Sequence, residues 1–149
     1  MSVLIFNKTN MRIILTAALL SLLFFSCKST KQSTTEQISL FGTRWEVQQI
    51  DGTEVKLDNN SAFLIFKDDE EHSVSGSTSC NGMSGSYTLS DNNLSFSPMM
   101  MTYRGCVGNS VEREFLNAIS RVKNYRFSDN ALIFLDGETE IMIFKAVNL

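Results

Sequence analysis

From residue 40 onward, apolar and polar side chains mostly alternate with a period of two, the signature of β-strands that bury one face. Trp45, Val47 and Gln49 alternate with Arg44, Glu46 and Gln48, and Asp51-Gly52 then supplies a turn. Residues 62–66, AFLIF, form an apolar run that predicts a strand covered on both faces. Further strands are predicted over 72–76 and 84–90, with Tyr87 and Leu89 on one face of the second. Asp91-Asn92-Asn93 turns the chain into a strand on which Leu94 and Phe96 point the same way. Three more, over 125–127, 131–135 and 140–144, are punctuated by Ser128-Asp129-Asn130 and Asp136-Gly137. Connections this short join antiparallel neighbours, because parallel pairs need long crossovers.

One segment changes period. Val111, Phe115, Ala118, Ile119 and Val122 recur at helical spacing and predict a helix over 111–123 with one apolar stripe. Asn109 is the expected N-cap, with Glu112 reaching back as in a capping box. Arg121 and Lys123 are expected in the last turn, where positive charge suits the helix dipole. The fold class is therefore α+β. We expect a mostly antiparallel curved sheet or partial barrel of about eight strands, whose open side the helix closes.

Upstream the pattern is different again. Arg12 precedes residues 13–25, which are apolar apart from Thr16 and Ser21, and Cys27 follows. A cationic start and a short apolar core predict a secretory signal peptide over 1–26. The run falls short of the roughly 20 apolar residues that span a bilayer. Phe24-Phe25-Ser26-Cys27 resembles the bacterial lipobox, which implies lipid attachment at Cys27 as the first mature residue. Either Met1 or Met11 serves as the start. Residues 28–39 are rich in Ser, Thr and Gln and cannot bury enough surface to offset their ordering entropy. We read 27–39 as a lipid-attached tether and 40–149 as one folded domain. The expected location is the bacterial envelope. Lys28 lacks the acid that marks inner-membrane retention in enterobacteria, which favours the outer membrane.

Charge narrows the partners. Removing 1–26 takes away Lys8 and Arg12, leaving eleven cations against 16 acids. A mature chain of about −5 argues against nucleic acid, whose binding rests on cations that neutralise phosphate. Of the three cysteines, a lipidated Cys27 leaves Cys80 and Cys106. In an oxidising envelope the simplest reading is a disulfide, worth roughly 3–4 kcal/mol on the chain-entropy account. The alternative is a thiol pair that binds metal or performs redox chemistry, although the two do not form Cys-x-x-Cys.

Three segments carry a family resemblance. Gly76-Ser77-Thr78-Ser79-Cys80-Asn81-Gly82-Met83-Ser84-Gly85-Ser86-Tyr87 is followed by Met101-Thr102-Tyr103-Arg104-Gly105-Cys106. A helix containing Glu112, Glu114, Phe115 and Leu116 comes next. Together they resemble the META/HslJ family of bacterial lipoproteins across roughly residues 40–147. The resemblance implies an antiparallel α+β domain with one helix against a curved sheet. It also implies an envelope or stress-response role, with no established chemistry to transfer. Gly76, Gly82 and Gly85 are expected to permit positive φ or close backbone approach. Asn81, Thr102 and Arg104 are the candidate binding residues, weighed against a satisfied structural cluster.

Catalytic patterns are poorly represented. The lone histidine, His72, follows the acidic run 68–71, and no Gly-x-Ser-x-Gly nucleophile elbow occurs. The acidic run lacks the calcium-loop pattern and reads as a solvated turn. Met99, Met100 and Met101 read as strand residues of alternating direction rather than as a soft-metal site. We therefore expect no catalytic residue, metal or cofactor. The leading expectation is a lipid-anchored, non-enzymatic protein that binds an envelope protein or a small apolar ligand. The alternatives are a pilot-like assembly lipoprotein of an outer-membrane machine and, behind it, a hydrolase built on His72 or acids gathered in a cleft.

Overall fold

Alternating side chains need a second layer to bury against, and this chain supplies one by curling its own sheet. The computed structural model describes residues 38–57 and 60–147. The expected signal peptide, the expected lipid site at Cys27 and most of the expected tether lie outside the described residues. Among the described residues, ten strands and one helix follow in order. They are β1 (Arg44–Ile50), β2 (Thr53–Glu54), β3 (Ala62–Phe66), β4 (Ser73–Thr78), β5 (Gly82–Ser90), β6 (Asn93–Phe96) and β7 (Met100–Met101). Then come α1 (Glu112–Ile119), β8 (Asn124–Ser128), β9 (Ala131–Asp136) and β10 (Thr139–Val147). Every strand pairing is antiparallel. The α+β expectation of about eight strands and one helix holds, with two-residue β2 and β7 as additions too short to carry a period.

The sheet is ring-like. Neighbours run β10-β9-β8-β6-β5-β4-β3-β1, and β1 also pairs with β10. The β6–β8 joint is the thinnest, with a single ladder pair at Asn93 and Asn124. Two flanking bonds support it: the Leu94 amide donates to Lys123 O at 3.0 Å and the Tyr125 amide to Asn92 O at 2.9 Å.

Inside the ring, Trp45, Leu64, Phe66, Leu94, Leu132, Phe134 and Phe144 are completely buried. Phe66 meets Tyr87 edge-on at 5.2 Å, and Phe134 lies 4.7 Å from Phe144. Such aromatic pairs add roughly 0.5–1.5 kcal/mol beyond their buried area. Their polar handles are satisfied: Trp45 Nε1 donates to Leu40 O at 3.0 Å and the Tyr87 hydroxyl to Lys67 O at 2.8 Å. Burial, with the charges of Asp68 and Asp69, raises the Tyr87 pKa above its ordinary value.

Three sequence expectations change. Gln49 does not share the inward face of Trp45 and Val47, because a register shift between Val47 and Gln49 turns Ile50 inward. The strand buried through four consecutive residues is β9, from Leu132 to Leu135, whereas β3 leaves Phe63 and Ile65 partly exposed. Over Phe63 lies the Arg44 guanidinium, 3.4 Å from the ring centroid. The helix is shorter than 111–123. Arg121 and Lys123 lie beyond it, pairing with Asp51 at 2.6 Å and Asp136 at 2.7 Å. These cations tie the helix exit to two turns of the sheet.

The glycines are also sorted. None of Gly76, Gly82 and Gly85 has positive φ, and only two are crowded. A β-carbon on Gly76 would sit 2.0 Å from the Phe63 carbonyl oxygen, and one on Gly85 would sit 2.6 Å from Met99 Sδ. The first obstacle is backbone of the paired strand β3 and cannot swing aside. We expect Gly76→Ala to destabilise the domain by about 1–3 kcal/mol, measured by urea unfolding. An unchanged midpoint would show that β3 and β4 can separate at no cost.

The acidic run forms a turn, as read from the sequence. Asp69 Oδ1 accepts the Ser73 amide at 2.7 Å, which holds the Asp69 carboxyl below its usual pKa. Asp136 is lowered likewise, by Lys123. A depressed folded-state pKa means stability present above about pH 4 and lost as pH falls through the folded-state values. Melting temperature should therefore hold between about pH 7 and 5 and drop below about 4. The double variant Asp69→Asn, Asp136→Asn should flatten that drop; an identical acid slope would remove these two groups from the account.

Candidate functional site

The corner between β4 and β5 gathers the motif residues. Chain reversal here is tight: Ser79 adopts φ 79° while 4% exposed, a left-handed conformation that costs a non-glycine residue about 1–3 kcal/mol. The Thr78 amide closes the turn on Asn81 O at 2.9 Å. Next to it, Cys80 and Cys106 form a disulfide, so the thiol-pair alternative is not the state seen. The bond fastens the exposed loop 102–109 to the corner.

Asn81 is the hub. It is 2% exposed, and all four hydrogen-bonding positions of its amide are used. Oδ1 accepts the Thr102 hydroxyl at 2.9 Å and the Arg104 amide at 2.8 Å. Nδ2 donates to Arg104 O at 3.3 Å and to Glu112 Oε2 at 3.0 Å. The Thr102 hydroxyl in turn accepts the Gly82 amide at 3.1 Å. Asn81 and Thr102 thus meet side chain to side chain. Arg104 joins through its main chain, and its residue is exposed.

Glu112 belongs to this group, a role the sequence reading assigned elsewhere. Its Oε2 accepts the Thr78 hydroxyl at 2.5 Å, the length of a charge-assisted bond. That hydroxyl has one proton, so its longer 3.2 Å approach to Asn81 O is the weaker option. The expected capping box therefore does not form. Val111 occupies the N-cap, no side chain caps it, and the Val111 amide donates to Ser79 Oγ at 3.2 Å. The helix start is held by the β4–β5 corner instead of by Asn109. A carboxylate in the first turn still suits the dipole.

His72 lies at the opposite end of β4 from Thr78, about 20 Å away at strand rise. Its ring lies tilted against Tyr87, with the centroids 5.3 Å apart. It cannot serve as a base for Ser79, Ser110 or any group at the corner. A separate cleft of about 500 Å³ runs between the β1–β2 segment and α1, with Ile50, Val55, Val111, Arg113 and Glu114 among its lining. Among the described residues no helix is long and apolar enough to cross a membrane.

Truncating the hub leaves the Glu112 carboxylate and the Arg104 peptide short of partners. Asn81→Ala should cost about 2–4 kcal/mol in urea unfolding and expose loop 102–109 to protease. A loss below about 0.5 kcal/mol would mean water replaces the amide freely.

Comparison with known proteins agrees with this architecture. A solved protein from Burkholderia xenovorans superimposes with a TM-score of 0.59 at 22% identity, covering 74% of this chain and 85% of that one. A second solved protein gives 0.54 at 21% identity, covering 69% and 88%. At such identities the likeness concerns the fold. No curated protein sequence matches. The META domain profile matches residues 38–148, which takes in the whole ring, the corner and the helix. The chain belongs to the META domain family.

Proposed function

We infer that this META domain protein is a lipid-anchored, non-enzymatic component of the bacterial envelope that binds another envelope protein. The observation that carries the reading is the loop beyond β7. Among the described residues this loop carries Tyr103 and Val107, two large apolar side chains almost wholly in solvent, and exposed Met100 of β7 comes just before it. Apolar groups held in water mark contact surfaces. Tyrosine and arginine are enriched among residues that dominate binding, and Arg104 lies beside Tyr103. The loop is also held in advance, by the disulfide and by Asn81, which lowers the entropy cost of association.

Lipid at Cys27 and an outer-membrane position rest on the leader and lipobox-like residues, and residues 28–39 then serve as spacer. A stress-response role is the family's contribution. The non-enzymatic reading is supported by the isolation of His72 from the corner. A second reading, a small apolar ligand, draws on the cleft beside α1.

A photo-crosslinking residue at position 103, in growing cells, should yield one discrete adduct. The same probe at exposed position 138 should not. Tyr103→Ser with Val107→Ser should weaken partner capture while stability stays within about 0.5 kcal/mol. Cys27→Ala should move the protein out of the membrane fraction and diminish the adduct. Identical adducts from 103 and 138, or none from 103, would count against the loop; membrane retention of Cys27→Ala would count against the anchor.

A further inference from the structure

We propose that reduction of the Cys80–Cys106 bond turns the β4–β5 corner into a site for one thiophilic divalent cation, zinc being the natural class. Its ligands would be the two thiolates and the Glu112 carboxylate. The sulfurs and a Glu112 carboxylate oxygen already lie within 4.8 Å of one another. In the disulfide the sulfurs are spent on each other, so the site exists only after reduction.

Two features support it beyond proximity. Among the described residues Glu112 forms no ion pair with lysine, arginine or histidine. Its carboxylate is half-buried and has only the neutral donors Thr78 and Asn81. A charge in that position gains from a cation, and the two donors fix its direction as outer-shell groups do at metal sites. The second feature is redundancy. Loop 102–109 is pinned on one side of Cys106 by Thr102 and Arg104 bonding Asn81, and on the other by Val111 bonding Ser79. Opening the bond therefore leaves Cys106 near Cys80.

Sulfurs about 2.3 Å from a tetrahedral ion stand about 3.8 Å apart. Once the bond is reduced the sulfurs can take that spacing, because Cys106 is exposed. The chemistry balances with a dithiol reductant. The dithiol gives two electrons and two protons, becoming a disulfide itself, and Cys80 and Cys106 become thiols. The cation then displaces both thiol protons to solvent, since only thiolates bind it. Water completes the fourth position.

The test uses the folded protein, oxidised or dithiol-reduced and freed of reductant without air, titrated with Cd²⁺. The reduced form should take up one ion per chain, develop a thiolate-to-metal absorption band and release two protons. The oxidised form should develop no such band. Glu112→Gln should keep the band while losing about tenfold or more in affinity. Circular dichroism of reduced protein and of Cys80→Ser, Cys106→Ser should retain the strand signal. No band on reduction, equal affinity in Glu112→Gln, or loss of the strand signal on reduction would each overturn the proposal.

Discussion

One buried amide organises the β4–β5 end of this molecule. Asn81 joins three segments far apart in sequence: the β4–β5 corner, the loop after β7 and the first turn of α1. Only a side chain with two acceptor and two donor positions on one planar group can do this. Aspartate offers no donors when ionised and would face the Glu112 carboxylate. With the amide saturated, Ser79 can be kept in a costly conformation and the helix can start without a cap of its own. The disulfide beside it adds a covalent constraint to a loop already held by hydrogen bonds.

The rest of the fold supplies the rigid platform. Closing β1 onto β10 removes a pair of sheet edges and gives the inward residues a shared interior. Phe66, Phe134 and Phe144 fill it, with α1 contributing Phe115, Ala118 and Ile119. Gly76 lets β3 and β4 lie close enough to keep the corner in register with that core. Positioning of the exposed loop thus depends on a chain of contacts reaching into the ring.

Strands were legible because period two is a local property, recorded wherever one face is wet. The reading slipped where tertiary context acts. A bulge in β1 exchanged Gln49 for Ile50, and the ends of α1 were misplaced because its apolar stripe continues through Val122 after the helical bonds stop. Met99, Met100 and Met101 behaved as their alternation implied: Met100 is exposed while its neighbours touch the core. At the site, Cys80, Asn81, Thr102 and Cys106 were visible as motif residues. Glu112 was visible too, but its local capping role was the obvious one, and nothing in a linear spacing announces a partner 31 residues away.

By itself the sequence determined the antiparallel α+β class, the principal strands and the one helix among the described residues, and the motif segments of the META domain. Each follows from short-range periodicity and turn chemistry. Tertiary structure alone decided that the sheet meets itself, that Asn81 uses its whole amide inside the protein, and that Glu112 bonds Thr78 and Asn81 instead of capping its own helix. Those are long-range contacts, set by which surfaces come together when the core closes, and no window along the chain contains them.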